Sequence, residues 1–209
     1  MSFGLHRIWK KKFIDLIDLN KKNKINVLDL GCGTGDIILE LFKKSQQNSN
    51  SSAYLVEPNM EMIKNGKKKI KNKNILWVSS YGEKLPFKND QFDLVTMSFS
   101  LRNVQNISKT LNEINRVLKK KGKFACLEFG KVKNLALNTI YNIYSDNIIP
   151  NLGETITGNK KAYTYLVDSI KKFPSQEKIS KILRLKKFNN INYYNLNYGI
   201  AVIYICTKK

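Results

Sequence analysis

Short apolar segments alternate with amphipathic segments along the first two thirds of the chain. The apolar segments predict five strands, INVLDL (25–30), AYLVE (53–57), NILWVSS (74–80), FDLVTMSF (92–99) and KFACLEF (123–129). The amphipathic segments have the period of an α-helix and predict helices over residues 6–18, 37–42, 59–70 and 108–118, the last ended by KKKGK. Strands that alternate with helices at this spacing are joined by right-handed crossovers, and they predict a parallel sheet covered by helices.

The alternation pauses after Phe129. Residues 135–172 predict two or three helices, an insertion before the sheet resumes. This insertion carries four tyrosines, Tyr141, Tyr144, Tyr163 and Tyr165. Aromatic side chains at helical spacing suit both the packing between helices and the lining of an apolar pocket, and the pattern leaves both interpretations open.

The last part of the chain returns to the sheet. A helix is predicted over residues 175–185, where Ser175 can cap the first turn. Two strands follow, INYYNL and GIAVIYICTK, separated by Asn197-Tyr198-Gly199. Such a short connection joins antiparallel neighbours, so the last strand should run against the sheet. The predicted fold class is therefore α/β, a Rossmann-like, seven-stranded, doubly wound sheet with an antiparallel last strand, and we expect residues 1–209 to form a single domain.

The segment VLDLGCGTGD carries a candidate binding site. Gly31, Gly33 and Gly35 lie directly after the first strand and before a helix, where glycines allow a sharp turn and a close approach of the backbone to a ligand. Glu57 ends the second strand. An acid at that position can accept hydrogen bonds from both hydroxyls of a ribose. The combination favours a nucleoside-containing cofactor over a simple strand-to-helix turn.

Two further acids flank this loop and indicate the charge of the cofactor. Asp29 precedes the loop and Asp36 follows it. The dinucleotide fingerprint has its third glycine one position later, and a carboxylate at the helix start would repel a pyrophosphate. A cofactor that carries positive charge, such as S-adenosylmethionine with its ammonium and sulfonium groups, suits these acids better.

The composition changes this picture little. The chain has 37 Lys and Arg against 16 Asp and Glu, a net charge of +21. The lysines are interleaved with asparagines, as in KKNKIN, which indicates a solvated surface of biased composition but also suits an anionic membrane surface. Nucleic acid is the weakest of the three interpretations, since no RNA-binding aromatic motif accompanies the charge. Three separated cysteines and one histidine predict no metal site and favour a reducing compartment.

With these motifs the chain resembles the class I S-adenosylmethionine-dependent methyltransferases, and more narrowly the ubiquinone/menaquinone biosynthesis C-methyltransferases. The matching segments run almost from end to end: MSFGLHRIWK, VLDLGCGTGD, EKLPF, FDLVTMSFSLRNV, NRVLKKKGKFACLEFGK, YTYLVDSI with FPSQE, and YYNLNYGIA. Family members usually carry a few dozen residues before the MSFGLHRIWK segment, so a trimmed chain is one expectation. The resemblance also implies an N-terminal lid helix at about residues 5–19 and an acceptor-site insertion at about residues 135–172.

The resemblance implies which residues bind S-adenosylmethionine. Beside the loop glycines and Asp29, the positions that contact the cofactor in the family are Thr34, Glu57 and Ser98. The family places a small polar residue and Ala beside the adenine, where this chain has Tyr81-Gly82. A second departure is Ser100, where the family usually has Gly.

The implied reaction is methyl transfer to a ring carbon of a 2-polyprenyl-6-methoxy-1,4-benzoquinol or of a demethylmenaquinol. Arg102 is the candidate catalytic residue, because its guanidinium can stabilise a phenolate or polarise a water. Asn103 could orient that water or the second quinol oxygen. The alternative for Arg102 is a structural salt bridge to Glu128. His6, the single histidine, is either a packing residue of the lid or a base and substrate contact.

The resemblance further implies a polyprenyl quinol substrate, a peripheral membrane surface, and other quinone-biosynthesis proteins or a homodimer as partners, with no nucleic acid. A eukaryotic member would lie on the matrix side of the mitochondrial inner membrane, and another member in the cytoplasm in association with a membrane. Two alternatives stay open: a methyltransferase for another small-molecule or lipid acceptor, and a scaffold subunit without turnover.

Overall fold

The computed structural model describes residues 5–17, 24–44, 51–132 and 160–209. The sheet consists of β1 (Asn26–Leu30), β2 (Ser52–Val56), β3 (Ile75–Val78), β4 (Phe92–Ser98), β5 (Leu118–Phe129), β6 (Phe188–Leu196) and β7 (Ala201–Lys208). The helices are α1 (Leu5–Ile17), α2 (Asp36–Lys44), α3 (Met60–Lys69), α4 (Ile107–Val117), α5 (Lys160–Lys172) and α6 (Gln176–Leu185). Short 3₁₀ turns lie at Leu101–Asn103 and Asn197–Gly199.

The seven strands form one sheet in the order β3-β2-β1-β4-β5-β7-β6. Strands β1 to β5 are parallel, and β7 runs antiparallel to both β5 and β6. The predicted doubly wound sheet with an antiparallel last strand is therefore confirmed. The strand order reverses between β1 and β4, and in sheets of this kind ligands bind at the carboxyl ends of the strands beside that reversal.

Helices cover both faces of the sheet and create two apolar cores. On one face Leu111 and Ile114 of α4 and Leu183 of α6 join a cluster with Leu28 and Phe92. On the other face, the buried side chains of α1 and α2 pack against the strand residues that point to that side of the sheet. Burial on both faces explains why β1 and β4 are nearly continuous apolar runs without alternation.

Side chains at the helix starts explain where three helices begin. Asn59 accepts hydrogen bonds from the backbone N–H groups of Glu61 and Met62 at the start of α3. Asn106 caps α4 by accepting from Lys109 N–H at 2.9 Å. Ser175 caps α6, as predicted. Each cap satisfies an N–H group that the helix leaves without a partner.

The boundary between α4 and β5 differs from the prediction. The helix ends at Val117, and the lysine-rich segment that was predicted as its terminator lies in the strand, which begins at Leu118 rather than at Lys123. Leu118 is fully buried and pairs with Phe92, so long-range pairing overrides the local pattern. Lys121 adopts a positive φ of 60° in the stretch where the pairing of β5 with β4 shifts its register.

The cap of α4 generates a testable prediction. Replacing Asn106 with Ala removes the acceptor for Lys109 N–H, and we expect the free energy of unfolding to fall by about 1 kcal/mol in urea denaturation. Gln105→Ala changes an exposed neighbour and should stay within about 0.5 kcal/mol of the wild type. Equal stabilities of the two variants would contradict the capping assignment.

Candidate active site

The loop between β1 and α2 has a backbone that favours glycine at three positions. Gly31, Gly33 and Gly35 have φ angles of +66°, +56° and +83°. A Cβ on Gly31 would lie 2.5 Å from the Cβ of Ser100, whereas a Cβ on Gly33 would meet no atom within 4 Å. The loop thus packs closely on one side and faces open space at Gly33, as a ligand cradle requires.

Glu57 lies against this loop, as the sequence predicted. Its Oε2 accepts a hydrogen bond from Gly33 N–H at 3.0 Å, and its Oε1 accepts from Asn59 N–H at 3.1 Å. The carboxylate therefore joins the end of β2 to the open side of the loop, which is the position from which it could accept from ribose hydroxyls.

Asp29 is buried in the floor of the same site. Its Oδ1 accepts from the Thr96 hydroxyl at 2.7 Å, while its Oδ2 has no hydrogen-bond partner among the described residues. Burial raises the pKa of Asp29 to about 7, and the hydrogen bond from Thr96 opposes the shift. The hydroxyl of Ser98 is likewise buried without a partner in the described part of the chain. Buried polar atoms without partners are costly, and a ligand bound beside the glycine loop would satisfy these two.

These groups fit S-adenosylmethionine. The cofactor's ammonium would supply the donor that Asp29 Oδ2 lacks, and the free side of Gly33 leaves room for its nucleoside beside Glu57. Thr34 donates its hydroxyl to Asp36 Oδ1 at 3.3 Å, so in this structure its side chain is turned toward the start of α2.

Asp36 has a different environment from Asp29. It forms ion pairs with Lys10 of α1, at 3.1 Å, and with Lys69 of α3. The hydrogen bond from Lys69 is the largest of the causes that lower the pKa of Asp36 to about 2. This carboxylate is therefore neutralised by lysines from two helices and fastens α1 beside the glycine loop.

The Tyr81-Gly82 pair follows β3. Tyr81 is 61% exposed at the surface. Gly82 is buried, and a Cβ there would lie 2.9 Å from Cγ2 of Thr110 on α4 and 3.4 Å from the side chain of Leu30. The close approach of Thr110 leaves little room for an Ala side chain at that position.

Arg102 lies in the 3₁₀ turn after β4 and forms a buried ion pair with Glu128 of β5. Its Nη1 donates to Glu128 Oε1 at 2.7 Å and to the Phe99 carbonyl at 2.5 Å, and its backbone N–H donates to Glu128 Oε2 at 3.1 Å. The guanidinium carbon lies 5.1 Å from the centre of the Phe129 ring. Burial raises the pKa of Glu128, and the contacts with Arg102 oppose the shift. The salt bridge that was the alternative for Arg102 is therefore present.

The guanidinium makes one further hydrogen bond to a side chain of α5 in the described part of the chain. Within the described ranges, Arg102 Nε donates to the Ser169 hydroxyl at 3.2 Å, and Nη2 has no acceptor. Asn103 is exposed, and its Oδ1 accepts from the Tyr165 hydroxyl at 3.3 Å. Helix α5 thus contacts Arg102 and Asn103. No local pattern in the sequence around Ser169 predicted that it would lie near Arg102.

Helix α1 covers this edge of the sheet through Trp9. The indole N–H donates to Asn197 Oδ1 at 2.7 Å, and the ring lies 6.2 Å from both Phe99 and Phe129. His6 lies on the exposed side of α1, and its pKa is lowered first by desolvation and then by Lys10.

Some expectations fall outside what the structure describes. Tyr141 and Tyr144 lie outside the described residues, as does the side chain of Tyr163. Among the described residues, no cluster of His, Cys, Asp and Glu could hold a metal ion. The helices in the described ranges are too short or too polar to span a bilayer.

Comparisons with known proteins agree with this geometry. The family model described as "ubiE/COQ5 methyltransferase family" matches residues 1–208. The ubiquinone/menaquinone biosynthesis C-methyltransferase UbiE of Rickettsia bellii (strain RML369-C) is 46% identical across 100% of this chain and 85% of its own length. The protein of the same description from Rickettsia prowazekii (strain Madrid E) is 45% identical with the same coverage.

Solved structures show the same fold at low identity. An S-adenosylmethionine-dependent methyltransferase from Thermotoga maritima, described as a possible histamine N-methyltransferase, has a TM-score of 0.70 and 18% identity and covers 100% of this chain and 93% of its own. A methyltransferase from Aquifex aeolicus has a TM-score of 0.64 and 17% identity, with 96% and 98% coverage.

We expect cofactor binding to depend on pH through Asp29. An ammonium would bind the carboxylate rather than the neutral acid, and burial raises the pKa of Asp29 to about 7. We expect the affinity for S-adenosylmethionine to rise by up to about tenfold per pH unit below pH 7 and to level off above it. Isothermal titration calorimetry in two buffers of different ionisation enthalpy measures both the affinity and the released proton.

Asp29→Asn is the matched control for this titration. It should bind more weakly at pH 8 and lose the dependence below pH 7, because no proton needs to leave. A wild-type affinity that stays constant from about pH 5.5 to 7 would show that Asp29 does not contact the ammonium.

Proposed function

The chain belongs to the ubiE/COQ5 methyltransferase family, and we propose that it methylates a ring carbon of a polyprenyl quinol with the residues at the carboxyl edge of its sheet. It is an S-adenosylmethionine-dependent C-methyltransferase of ubiquinone/menaquinone biosynthesis. The observation that carries the proposed mechanism is Arg102, whose guanidinium is fixed by Glu128 while its Nη2 edge has no acceptor among the described residues.

The cofactor-binding half is proposed to work as follows. Asp29 holds the ammonium, Glu57 accepts from the ribose hydroxyls, and the loop glycines Gly31, Gly33 and Gly35 let the backbone approach the cofactor. Ser98 and Thr34 offer hydroxyls, and Tyr81-Gly82 forms the adenine side. The bound cofactor supplies a methyl group on a positively charged sulfur.

The acceptor half must activate a carbon nucleophile. A free phenol has a pKa of about 10, so its proton leaves readily near neutral pH only if the phenolate is stabilised. Arg102 Nη2 can donate to that oxygen, and Glu128 keeps the guanidinium in one orientation. Both oxygens of Glu128 already accept hydrogen bonds, from Arg102 and from Phe129 N–H at 2.8 Å. These hydrogen bonds hold Glu128 in its structural role, and the proton passes to a water that Asn103 can orient.

We also propose the domain arrangement that the resemblance implied: one domain, residues 1–209, with a lid helix at about 5–19 and an acceptor-site insertion at about 135–172. Trp9 supports the lid, since it packs over Phe99 and Phe129 beside Arg102. Tyr165 of α5 supports the insertion through its contact with Asn103. His6 at the exposed side of the lid remains a candidate substrate contact.

Peripheral membrane contact belongs to the same proposal, because a polyprenyl tail partitions into lipid and the chain has a net charge of +21. The relatives are bacterial proteins, which favours the cytoplasmic, membrane-associated alternative over a mitochondrial location. A homodimer and other quinone-biosynthesis proteins are further proposed partners.

The catalytic role of Arg102 can be tested with labelled S-adenosylmethionine and a short-tailed quinol. Arg102→Lys keeps a charge beside Glu128 but cannot reproduce the fixed fork of donors, and Arg102→Ala removes it. We expect methyl transfer to fall by about 10²-fold or more in both variants, with cofactor affinity within about threefold of the wild type.

Other results would identify another function. Full transfer by both variants would contradict the catalytic role of Arg102. Tight cofactor binding by the wild type without transfer to any quinol would favour the scaffold, and transfer to a different acceptor would favour a lipid or small-molecule methyltransferase.

Membrane contact predicts binding to vesicles. We expect liposomes with an anionic lipid to retain the protein at low ionic strength and to release part of it as salt screens the charges. Liposomes of neutral lipid are the control. Absence of retention on anionic liposomes at moderate salt would contradict peripheral contact.

A further inference from the structure

The chain that leaves β5 is held by a buried glutamine. Gln176, at the start of α6, is 1% exposed. Its Oε1 accepts from Lys131 N–H at 3.2 Å, and its Nε2 donates to the Lys131 carbonyl at 3.0 Å and to Asn195 Oδ1 at 3.1 Å. The side-chain amide therefore pairs with both backbone groups of one residue and also fastens β6.

Two glycines make this close junction possible. A Cβ on Gly130 would lie 2.6 Å from the Gly199 carbonyl oxygen and 2.8 Å from Gln176 Nε2. Gly199 has a φ of +97°, and a Cβ there would lie 2.8 Å from the Lys131 carbonyl oxygen. Only residues without a Cβ fit at this distance, so the position of Lys131 is tightly fixed.

The side chain of Lys131 extends from this junction to α5. Its Nζ donates to the carbonyls of Ile170, at 2.9 Å, and Lys171, at 2.6 Å, in the last turn of the helix. The Ile170 carbonyl also accepts from Phe173 N–H at 3.3 Å, and a cation near the C-terminal end of a helix interacts favourably with the helix dipole. Lys131 thus sets where the C-terminal end of α5 lies relative to β5.

Helix α5 also contacts the candidate catalytic residues. Ser169, next to Ile170 in the chain, accepts from Arg102 Nε at 3.2 Å and donates to the Leu166 carbonyl at 2.8 Å. One turn earlier, Tyr165 donates to Asn103 at 3.3 Å. A displacement of α5 by about 1 Å would lengthen both hydrogen bonds beyond the usual range.

We propose that Lys131 and Gln176 are positioning residues for methyl transfer: they hold α5 so that Ser169 and Tyr165 orient Arg102 and Asn103. This inference rests on the proposed catalytic role of Arg102. A misplacement of catalytic groups by about 1 Å can cost about 10²-fold in rate, so the junction acts on turnover although it touches no reacting atom.

Lys131→Met tests the proposal, because it removes the ammonium and keeps the backbone pairing with Gln176. The matched control is Lys172→Met, which removes an exposed lysine from the same helical turn. We expect Lys131→Met to lower kcat for the quinol about tenfold or more, with unchanged cofactor affinity, and Lys131→Arg to recover most of the rate. Lys172→Met should match the wild type.

A double-variant cycle with Ser169→Ala separates positioning from a general loss of stability. Because Lys131 is proposed to act partly through Ser169 and partly through Tyr165, the two substitutions should together lower the rate by clearly less than the product of their separate effects. Multiplied losses, or a Lys131→Met rate equal to that of Lys172→Met, would overturn the proposal.

Because the wild type and Arg102→Lys are assayed beside these variants, failure of the proposed function would appear separately as an inactive wild type or a fully active Arg102→Lys.

Discussion

The buried pair of Arg102 and Glu128 organises the proposed acceptor half of the site. It joins the turn after β4 to β5, and both oxygens of Glu128 take part in it. Such a pair is costly to desolvate, and an apolar pair of the same volume would often be at least as stable. Its value here is geometric. The same guanidinium also bonds the Phe99 carbonyl, and Phe99 adopts a φ of 55° that only its surroundings sustain.

The two halves of the site are built by different means. The cofactor half is mostly backbone: glycines with positive φ, amide groups directed at Glu57, and the strand ends that present Asp29 and Ser98. The acceptor half is a network of side chains from β5, α5 and the turn after β4. A backbone cradle is fixed by the sheet itself, whereas the side-chain network depends on how the helices are held.

This difference explains what the sequence could predict. The glycine loop and Glu57 follow directly from strands whose local patterns are strong, and the hairpin at Asn197–Gly199 follows from its length. The start of β5 was missed because the pairing of Leu118 with Phe92 is a long-range contact. The contact of Ser169 with Arg102 spans 67 positions of sequence and rests on a common residue type, so no pattern indicates it. The sequence left open whether Arg102 is catalytic or forms a structural salt bridge with Glu128. The structure was needed to show that the ion pair is present.

The acids at the carboxyl edge of the sheet differ in their burial and in their partners, and these differences suit them to different roles. Lysines keep Asp36 ionised and balance its charge, whereas burial raises the pKa of Asp29 to about 7, and its Oδ2 has no hydrogen-bond partner among the described residues. Glu128 is matched by Arg102, which still presents Nη2. In the described part of the chain, the proposed cofactor side therefore offers an acid oxygen without a donor and the proposed acceptor side a donor edge without an acceptor. That polarity suits the proposed reaction: Asp29 would hold the cofactor's ammonium, which keeps its charge, while Arg102 would stabilise the phenolate only until the carbon–carbon bond forms and removes that charge.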